Sequence, residues 1–173
     1  MEKSKVGIPS CSILTTGGTI DKIYSDKSSE FSVGDSETAS LLNRINVYSW
    51  AWDVKAVLQK DSSDMTDEDR ECLFQAIISD NSEHILITHG TDTICTTARY
   101  LYHKLNRRKK KVVLTGSFVP SRFKHSDAEF NVGFALGILK SMEEYGVRIA
   151  MNGEAFDAHH VFKNHNLQIF TKY

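Results

Sequence analysis

The sequence predicts an α/β fold: a doubly wound, mostly parallel sheet of about five strands, with helices on both faces and a hairpin near the C-terminus. Short apolar runs alternate with helical patterns along the chain, which is typical of this class. Several runs are continuously apolar, such as residues 85–87 and 112–114. A continuous apolar strand is buried on both faces, as in a parallel sheet covered by helices.

Five runs are predicted to be strands because each is short, apolar and followed by turn residues. They are residues 11–16, 54–59, 84–89, 111–115 and 148–151. Helices are expected between them, at about 37–48, after Thr66, at about 93–106 and after Ser126.

Helix starts and buried faces follow from local patterns. Thr66 with Asp69 predicts a capping box, and Ser126 with Glu129 predicts a second one. Helical spacing predicts which residues of the last two helices face the core. The expected buried stripes are Ala98, Leu101, Tyr102 and Leu105 in one helix, and Phe130, Phe134, Ile138 and Met142 in the other.

Chain length, net charge, cysteine spacing and the length of the apolar runs limit the classes of function that this chain can have. The chain has 173 residues, so we expect residues 1–173 to form a single domain. Its net charge is −1, which creates no field that attracts nucleic acid or an anionic membrane. The three cysteines lack C-x-x-C spacing, and no apolar run is long enough for a signal peptide or a membrane span. We therefore expect a cytoplasmic protein with neither nucleic-acid nor membrane partners.

Hydroxyl and glycine residues follow three of the predicted strands, at 15–19, 61–64 and 88–93. Ligands of an open parallel sheet bind beyond the carboxyl ends of the strands, so these segments are expected to converge on one site. A phosphate-binding turn is a poorer interpretation, since the chain has neither G-x-G-x-x-G nor a Walker lysine. Either segment alone would also suit a tight turn with capping threonines.

Four ordered motifs, with two shorter matches, resemble the bacterial-type L-asparaginases, especially the cytosolic type I branch. The segments are TTGGTI at 15–20, DSSDMT at 61–66, ITHGTDT at 87–93, TGSFVP at 115–120, SD at 126–127 and VFK at 161–163. The resemblance implies an amidohydrolase that converts L-asparagine to L-aspartate and ammonia through an acyl-threonine. It also implies a reaction that needs no cofactor or metal. We expect a homo-oligomer, because one small domain leaves the site open to water.

The resemblance also implies roles for individual residues. Thr16 matches the family's nucleophile, and Thr91 matches the second threonine, which forms a relay with Lys163 and Asp92. A lysine acts as a base only while it is neutral, so Lys163 needs surroundings that disfavour its charge. The positions that match substrate-binding groups are Gly17, Ser62, Ser63, Gly90 and Ser117, with Asp92 also holding the substrate's α-amino end.

The chain departs from the family pattern in three ways. Phe31 stands where the family has a loop tyrosine, and we expect Tyr24 on the same loop to replace it. Val119 stands before Pro120 where an arginine is usual. We also expect the family's smaller C-terminal domain to be absent, in which case the histidine-rich stretch at 159–165 or another subunit would recognise the substrate's amino group.

Two other functions are compatible with the same residues. One is a broader amidase that also accepts glutamine or a larger amide. The other is a module that binds an amino acid without hydrolysing anything, as expected if the loop tyrosine and the second domain have both been lost.

Overall fold

The computed structural model describes residues 10–25, 29–47 and 51–173. The strands are β1 (Ser10–Gly17), β2 (Lys22–Ser25), β3 (Glu30–Val33), β4 (Ala51–Lys60), β5 (His84–Thr88), β6 (Lys111–Thr115), β7 (Gly146–Met151), β8 (Glu154–Asp157), β9 (Val161–Asn164) and β10 (Ile169–Lys172). The α-helices are α1 (Thr38–Arg44), α2 (Asp67–Ser79), α3 (Ile94–Lys104) and α4 (Ala128–Ser141).

Six strands form one sheet in the order β4-β1-β5-β6-β7-β8. The first five are parallel to one another, and β8 pairs antiparallel with β7 at the edge. Two antiparallel pairs lie outside this sheet, β2 with β3 and β9 with β10. The predicted fold class and C-terminal hairpin are therefore confirmed, and the five predicted strands agree with the observed bounds to within three residues.

Helices cover both faces of the sheet, as the continuous apolar strands predicted. Ile85 and Ile87 of β5 pack in a core cluster with α2 and α3, whereas Leu86 packs in a second cluster with α1 and α4. Successive strand side chains point to opposite faces, so every residue of a central strand such as β5 needs an apolar neighbour.

One of the two predicted capping boxes is present in the structure, and the predicted first helix is shorter than expected. The box of Thr66 and Asp69 is present, with each side chain bound to the other's backbone N–H. The box of Ser126 and Glu129 is wrong, because Ser126 Oγ accepts from Ala128 N and Glu129 forms an ion pair with Arg44. The helix expected at 37–48 ends at Arg44, and residue 48 lies outside the described part of the chain.

The predicted buried stripes are partly wrong. Tyr102 is 45% exposed and Phe130 is 60% exposed. The residues of α4 that face the core are smaller: Ala128, Val132, Ala135, Leu136 and Leu139. Because α4 is apolar on nearly every side, its sequence does not identify the face that packs on the sheet.

Asn131 joins α4 to the ends of β6 and β7. Its side chain is fully buried, and Nδ2 donates to the Gly116 carbonyl at 3.0 Å and to Asp127 Oδ2 at 2.9 Å. Its Oδ1 accepts from the Asn152 N–H at 3.1 Å. All three partners belong to turns that follow strands or begin a helix, so one amide holds these turns together.

We predict that Asn131→Leu lowers the free energy of unfolding by about 2–4 kcal/mol, because the three hydrogen bonds of a fully buried amide are lost while the side-chain volume hardly changes. Urea unfolding monitored by circular dichroism measures this change. Asn106→Leu is the control, since Asn106 is exposed, and we expect it to change stability by less than ~0.5 kcal/mol. Equal losses in the two variants would contradict the role assigned to Asn131.

Candidate active site

Three strand ends meet at the carboxyl edge of the sheet. Gly18, with φ of 84°, donates its N–H to the Lys60 carbonyl at 2.9 Å. A Cβ on Gly18 would overlap the backbone of Gly90, and a Cβ on Gly90 would lie 2.5 Å from Ser62 Oγ. These positions need glycine because the segments after β1, β4 and β5 are in direct contact. The predicted convergence of the segments at 15–19, 61–64 and 88–93 is thus present in the structure.

Thr16 is the second-last residue of β1, where the pairing register with β4 shifts between Thr15 and Gly17. Its side chain is buried, and Oγ1 donates to the Thr88 carbonyl at 2.9 Å. This bond directs the hydroxyl toward the end of β5, the strand that leads into Thr91.

Lys163 reaches the same edge from the C-terminal hairpin, where β9 pairs it with Phe170 of β10. Its Nζ donates to Thr91 Oγ1 at 2.8 Å and to Asp92 Oδ1 at 2.6 Å. The lysine side chain is only 5% exposed, whereas Asp92 is 51% exposed. Thus three residues that lie far apart in sequence form one hydrogen-bonded group, with the lysine inside and the carboxylate at the surface.

Ser62 provides an unused hydroxyl at this edge. Its side chain is buried, and Oγ has no hydrogen-bond partner among the described residues. Its carbonyl accepts from Thr93 Oγ1 at 2.6 Å, and Asp61 accepts from both the backbone N–H and the hydroxyl of Ser63. A buried hydroxyl without a partner is costly, so Ser62 Oγ is suited to bind a polar ligand group.

Ser117 lies in the turn after β6, and its Oγ donates to the Val119 carbonyl at 2.7 Å. The Asp127 carboxylate, one residue before α4, accepts from the backbone N–H groups of Phe118 and Val119, each at 3.0 Å. Asp127 therefore holds the turn that carries Ser117. The sequence motif contained this aspartate but indicated no role for it.

Two further residues next to Lys163 and Thr91 had no role in the sequence interpretation. The half-buried Phe118 ring lies 5.3 Å from Lys163 Nζ, so an aromatic face covers one side of the ammonium group. His89 is fully buried, and its Nδ1 lies 2.8 Å from the Gly90 carbonyl, which it can bind only as a donor. Burial lowers the pKa of His89 to about 4, so the ring is neutral at pH 7.

Tyr24 and Phe31 face each other across the β2–β3 ribbon. They occupy directly paired positions, each is 51% exposed, and their ring centroids are 5.3 Å apart. Tyr24 and Phe31, which are seven residues apart in the sequence, are thus cross-strand neighbours in the structure. Asp21 closes the base of this ribbon, because its carbonyl accepts a hydrogen bond from the backbone N–H of Gly34, just after β3. Its buried carboxylate accepts a second one from the backbone N–H of Glu37. Burial raises the pKa of Asp21.

The histidines at 159–165 do not form one group. His159 packs against Tyr102 and His103 at the last turn of α3, while the site lies at the first turn of that helix. The expectation that the whole stretch recognises substrate is therefore wrong for His159. His165 lies near the start of α3 instead, with its Nδ1 4.0 Å from Asp92 Oδ1.

Metal-ligating side chains do not cluster in threes anywhere within residues 10–25, 29–47 and 51–173. Over the same part of the chain, every helix is too short or too polar to cross a lipid bilayer.

Known proteins resemble this chain in both sequence and structure. The family model described as "Asparaginase, N-terminal" matches residues 10–171. L-asparaginase 2 of Escherichia coli K12 is 31% identical over 173 residues, which cover 96% of this chain and 49% of that protein. The probable periplasmic L-asparaginase of Haemophilus influenzae is 30% identical, with 95% and 49% covered.

Solved structures agree with these relatives. The thermostable L-asparaginase from Thermococcus kodakarensis superposes with a TM-score of 0.79 at 25% identity, covering 94% of this chain and 51% of that one. A probable cytoplasmic L-asparaginase from Campylobacter jejuni gives 0.78 at 27% identity, covering 95% and 51%. The chain spans about half the length of these proteins. Since the family model matches nearly the whole chain, this protein belongs to the asparaginase family, in the part that the family model defines as N-terminal.

Proposed function

We propose that this chain is an amidohydrolase that converts L-asparagine to L-aspartate and ammonia through an ester on Thr16. The observation that carries the proposal is the buried Lys163, bound to both Thr91 and Asp92 at the edge where Thr16 lies. The names of the relatives support the same activity, since they are L-asparaginases.

The reaction has two balanced halves. In the first, Thr16 Oγ forms a bond to the side-chain amide carbon, the C–N bond breaks, and the nitrogen leaves as ammonia with the threonine proton. In the second, water attacks the ester, the bond to Thr16 breaks, and the threonine regains a proton. Neutral Lys163 is the base of the relay in this proposal, drawing the proton of Thr91 so that the Thr91 oxygen can accept one from the attacking group. Asp92 orients the lysine.

The polar groups at the same edge suit the two ends of an amino acid. The unpartnered Ser62 Oγ would donate to the α-carboxylate, and the half-exposed Asp92 carboxylate would accept from the α-ammonium group. Gly17, Gly90 and Thr91 would bring backbone N–H groups close to the substrate, and the turns around Ser63 and Ser117 would close its sides. Backbone donors held in this way stabilise the oxyanion that forms during acyl transfer.

The proposal includes the protein's organisation. The α/β unit would carry these catalytic groups itself and act as a homo-oligomer. Its compartment would be the cytoplasm, where the free thiols of Cys11, Cys72 and Cys95 stay reduced.

A broader amidase is the second candidate, since glutaminase-asparaginases are among the relatives, one of them 36% identical over 85 residues. Measuring kcat/KM for L-asparagine and L-glutamine with purified protein tests both candidates, and we expect asparagine to be preferred by at least about tenfold. Ammonia release from neither amide, together with calorimetric binding of aspartate, would instead indicate a binding module without hydrolytic activity.

We predict that Thr16→Ala and Lys163→Met each lower kcat by at least about a thousandfold, because one removes the attacking oxygen and the other removes the base. Ammonia release at saturating asparagine measures the loss. Thr16→Ser is the matched control, since it keeps a hydroxyl at the same place, and it should retain far more activity than Thr16→Ala. Full activity in Thr16→Ala would refute the role of Thr16, and full activity in Lys163→Met would refute the role of Lys163.

We predict that Tyr24→Phe lowers kcat by about a hundredfold, as expected for the loss of a group that transfers a proton, and that Phe31→Tyr has little effect. The two residues are cross-strand neighbours with equal exposure, so each variant controls for the other's effect on the ribbon. Steady-state kinetics with asparagine provides the comparison. The opposite pattern would show that the hydroxyl acts from position 31.

A further inference from the structure

The loop that joins β6 to α4, residues 116–127, holds the segments on either side of the β2–β3 ribbon. The backbone N–H of Ser121 donates to the Ile20 carbonyl at 3.0 Å, shortly before β2 begins. The next residue of the loop, Arg122, forms an ion pair with Glu37, shortly after β3 ends. The loop therefore binds the chain both where it enters the ribbon and where it leaves it.

A third contact from the same loop reaches the ribbon itself. The Phe123 ring lies 5.8 Å from the Phe31 ring, and the Phe31 ring lies 5.3 Å from the Tyr24 ring. Because Tyr24 and Phe31 are directly paired across the two strands, their side chains stand on the same face of the ribbon. The three rings form a row that runs from β2 across β3 to the loop.

This row supports a part of the structure that needs support. A two-stranded ribbon is marginally stable in water by itself, so its position depends on packing against the rest of the protein. Tyr24 and Phe31 are each half-exposed, and so is Phe123. Aromatic rings at these separations attract each other beyond the area that they bury. The contact of Phe123 with Phe31 therefore contributes to holding the ribbon in place.

The loop can act as a fixed support because its own backbone is bonded on both sides of Phe123. The N–H of Phe123 donates to the Pro120 carbonyl at 2.9 Å, and its carbonyl accepts from the Ser126 N–H at 3.2 Å. The hydroxyl of Ser126 donates in turn to the Val119 carbonyl at 2.8 Å. The Phe123 ring is thus carried by a backbone that is itself held in place.

We propose that Phe123 is a positioning residue for the reaction: its ring holds Phe31, and thereby keeps the Tyr24 hydroxyl in the position from which it acts. This inference rests on the proposed function, in which Tyr24 takes part in proton transfer. The side chain of Phe123 has no group that can transfer a proton, so its effect must pass through the ribbon. It should therefore cost less activity than the Tyr24 hydroxyl does, and almost none once that hydroxyl is gone.

A double-mutant cycle tests this dependence. We expect Phe123→Ala to lower kcat for asparagine by about three- to tenfold, the factor that corresponds to the loss of one aromatic pair, and to change KM little. In the Tyr24→Phe background, the same substitution should change kcat by less than about twofold, because the two residues act as a unit. Phe123→Tyr keeps the ring, and it should restore kcat to within about twofold of the unmodified chain.

Hydrogen exchange measured by mass spectrometry follows the ribbon without any measurement of activity. We expect the backbone amides of β2 and β3 to exchange faster in Phe123→Ala, and those of β1 to exchange as in the unmodified chain. Phe130→Ala is the matched control, because it removes another exposed phenylalanine ring, from α4. It should change neither the exchange of the ribbon nor kcat.

Unchanged exchange of β2 and β3 in Phe123→Ala would overturn the inference whatever the activity. So would an equal loss of kcat with and without the Tyr24 hydroxyl, or a failure of Phe123→Tyr to restore kcat. An unmodified protein that releases no ammonia would refute the proposed function instead. Faster exchange in Phe123→Ala would in that case still support the hold of Phe123 on the ribbon.

Discussion

The contact on which this structure most depends is that between Lys163 and Thr91. A lysine ammonium group that is almost fully buried needs partners for its protons, and the structure supplies Thr91 Oγ1, the Asp92 carboxylate and the Phe118 ring. These partners come from the ends of β5 and β6, whereas the lysine comes from the C-terminal hairpin. The hairpin is therefore part of this hydrogen-bonded group, and in the reaction that we propose it carries the base.

Other residues at the carboxyl edge of the sheet allow the segments that follow the strands to come into close contact. Gly18 and Gly90 remove side chains where two strand ends touch, and Asn131 ties the turn after β6 to α4. Asp127 holds that same turn by two backbone hydrogen bonds. As a result, the first turn of α4 supports the turn that carries Ser117.

The sequence predicted the sheet and the convergence of the polar turns at its carboxyl edge well, because both leave local signals. Continuous apolar runs such as residues 85–87 identify strands buried on both faces, and hydroxyls with glycines identify the turns that follow them. The buried face of α4 was predicted partly wrongly because Phe130 resembles a core residue, whereas the residues that pack against the sheet include Val132, Ala135 and Leu139. The pairing of Tyr24 with Phe31 and the cover of Phe118 over Lys163 depend on how distant segments fold together, and no local pattern carries that information.

The most direct test of the account is to treat the protein with a diazoketone analogue of asparagine and to map the covalent adduct by peptide mass spectrometry. The account predicts one label per chain, on the peptide that contains Thr16, prevented by excess aspartate and formed much more slowly in Lys163→Met. A label on another residue that aspartate also prevents, or labelling of Thr16 at the same rate without Lys163, would contradict it.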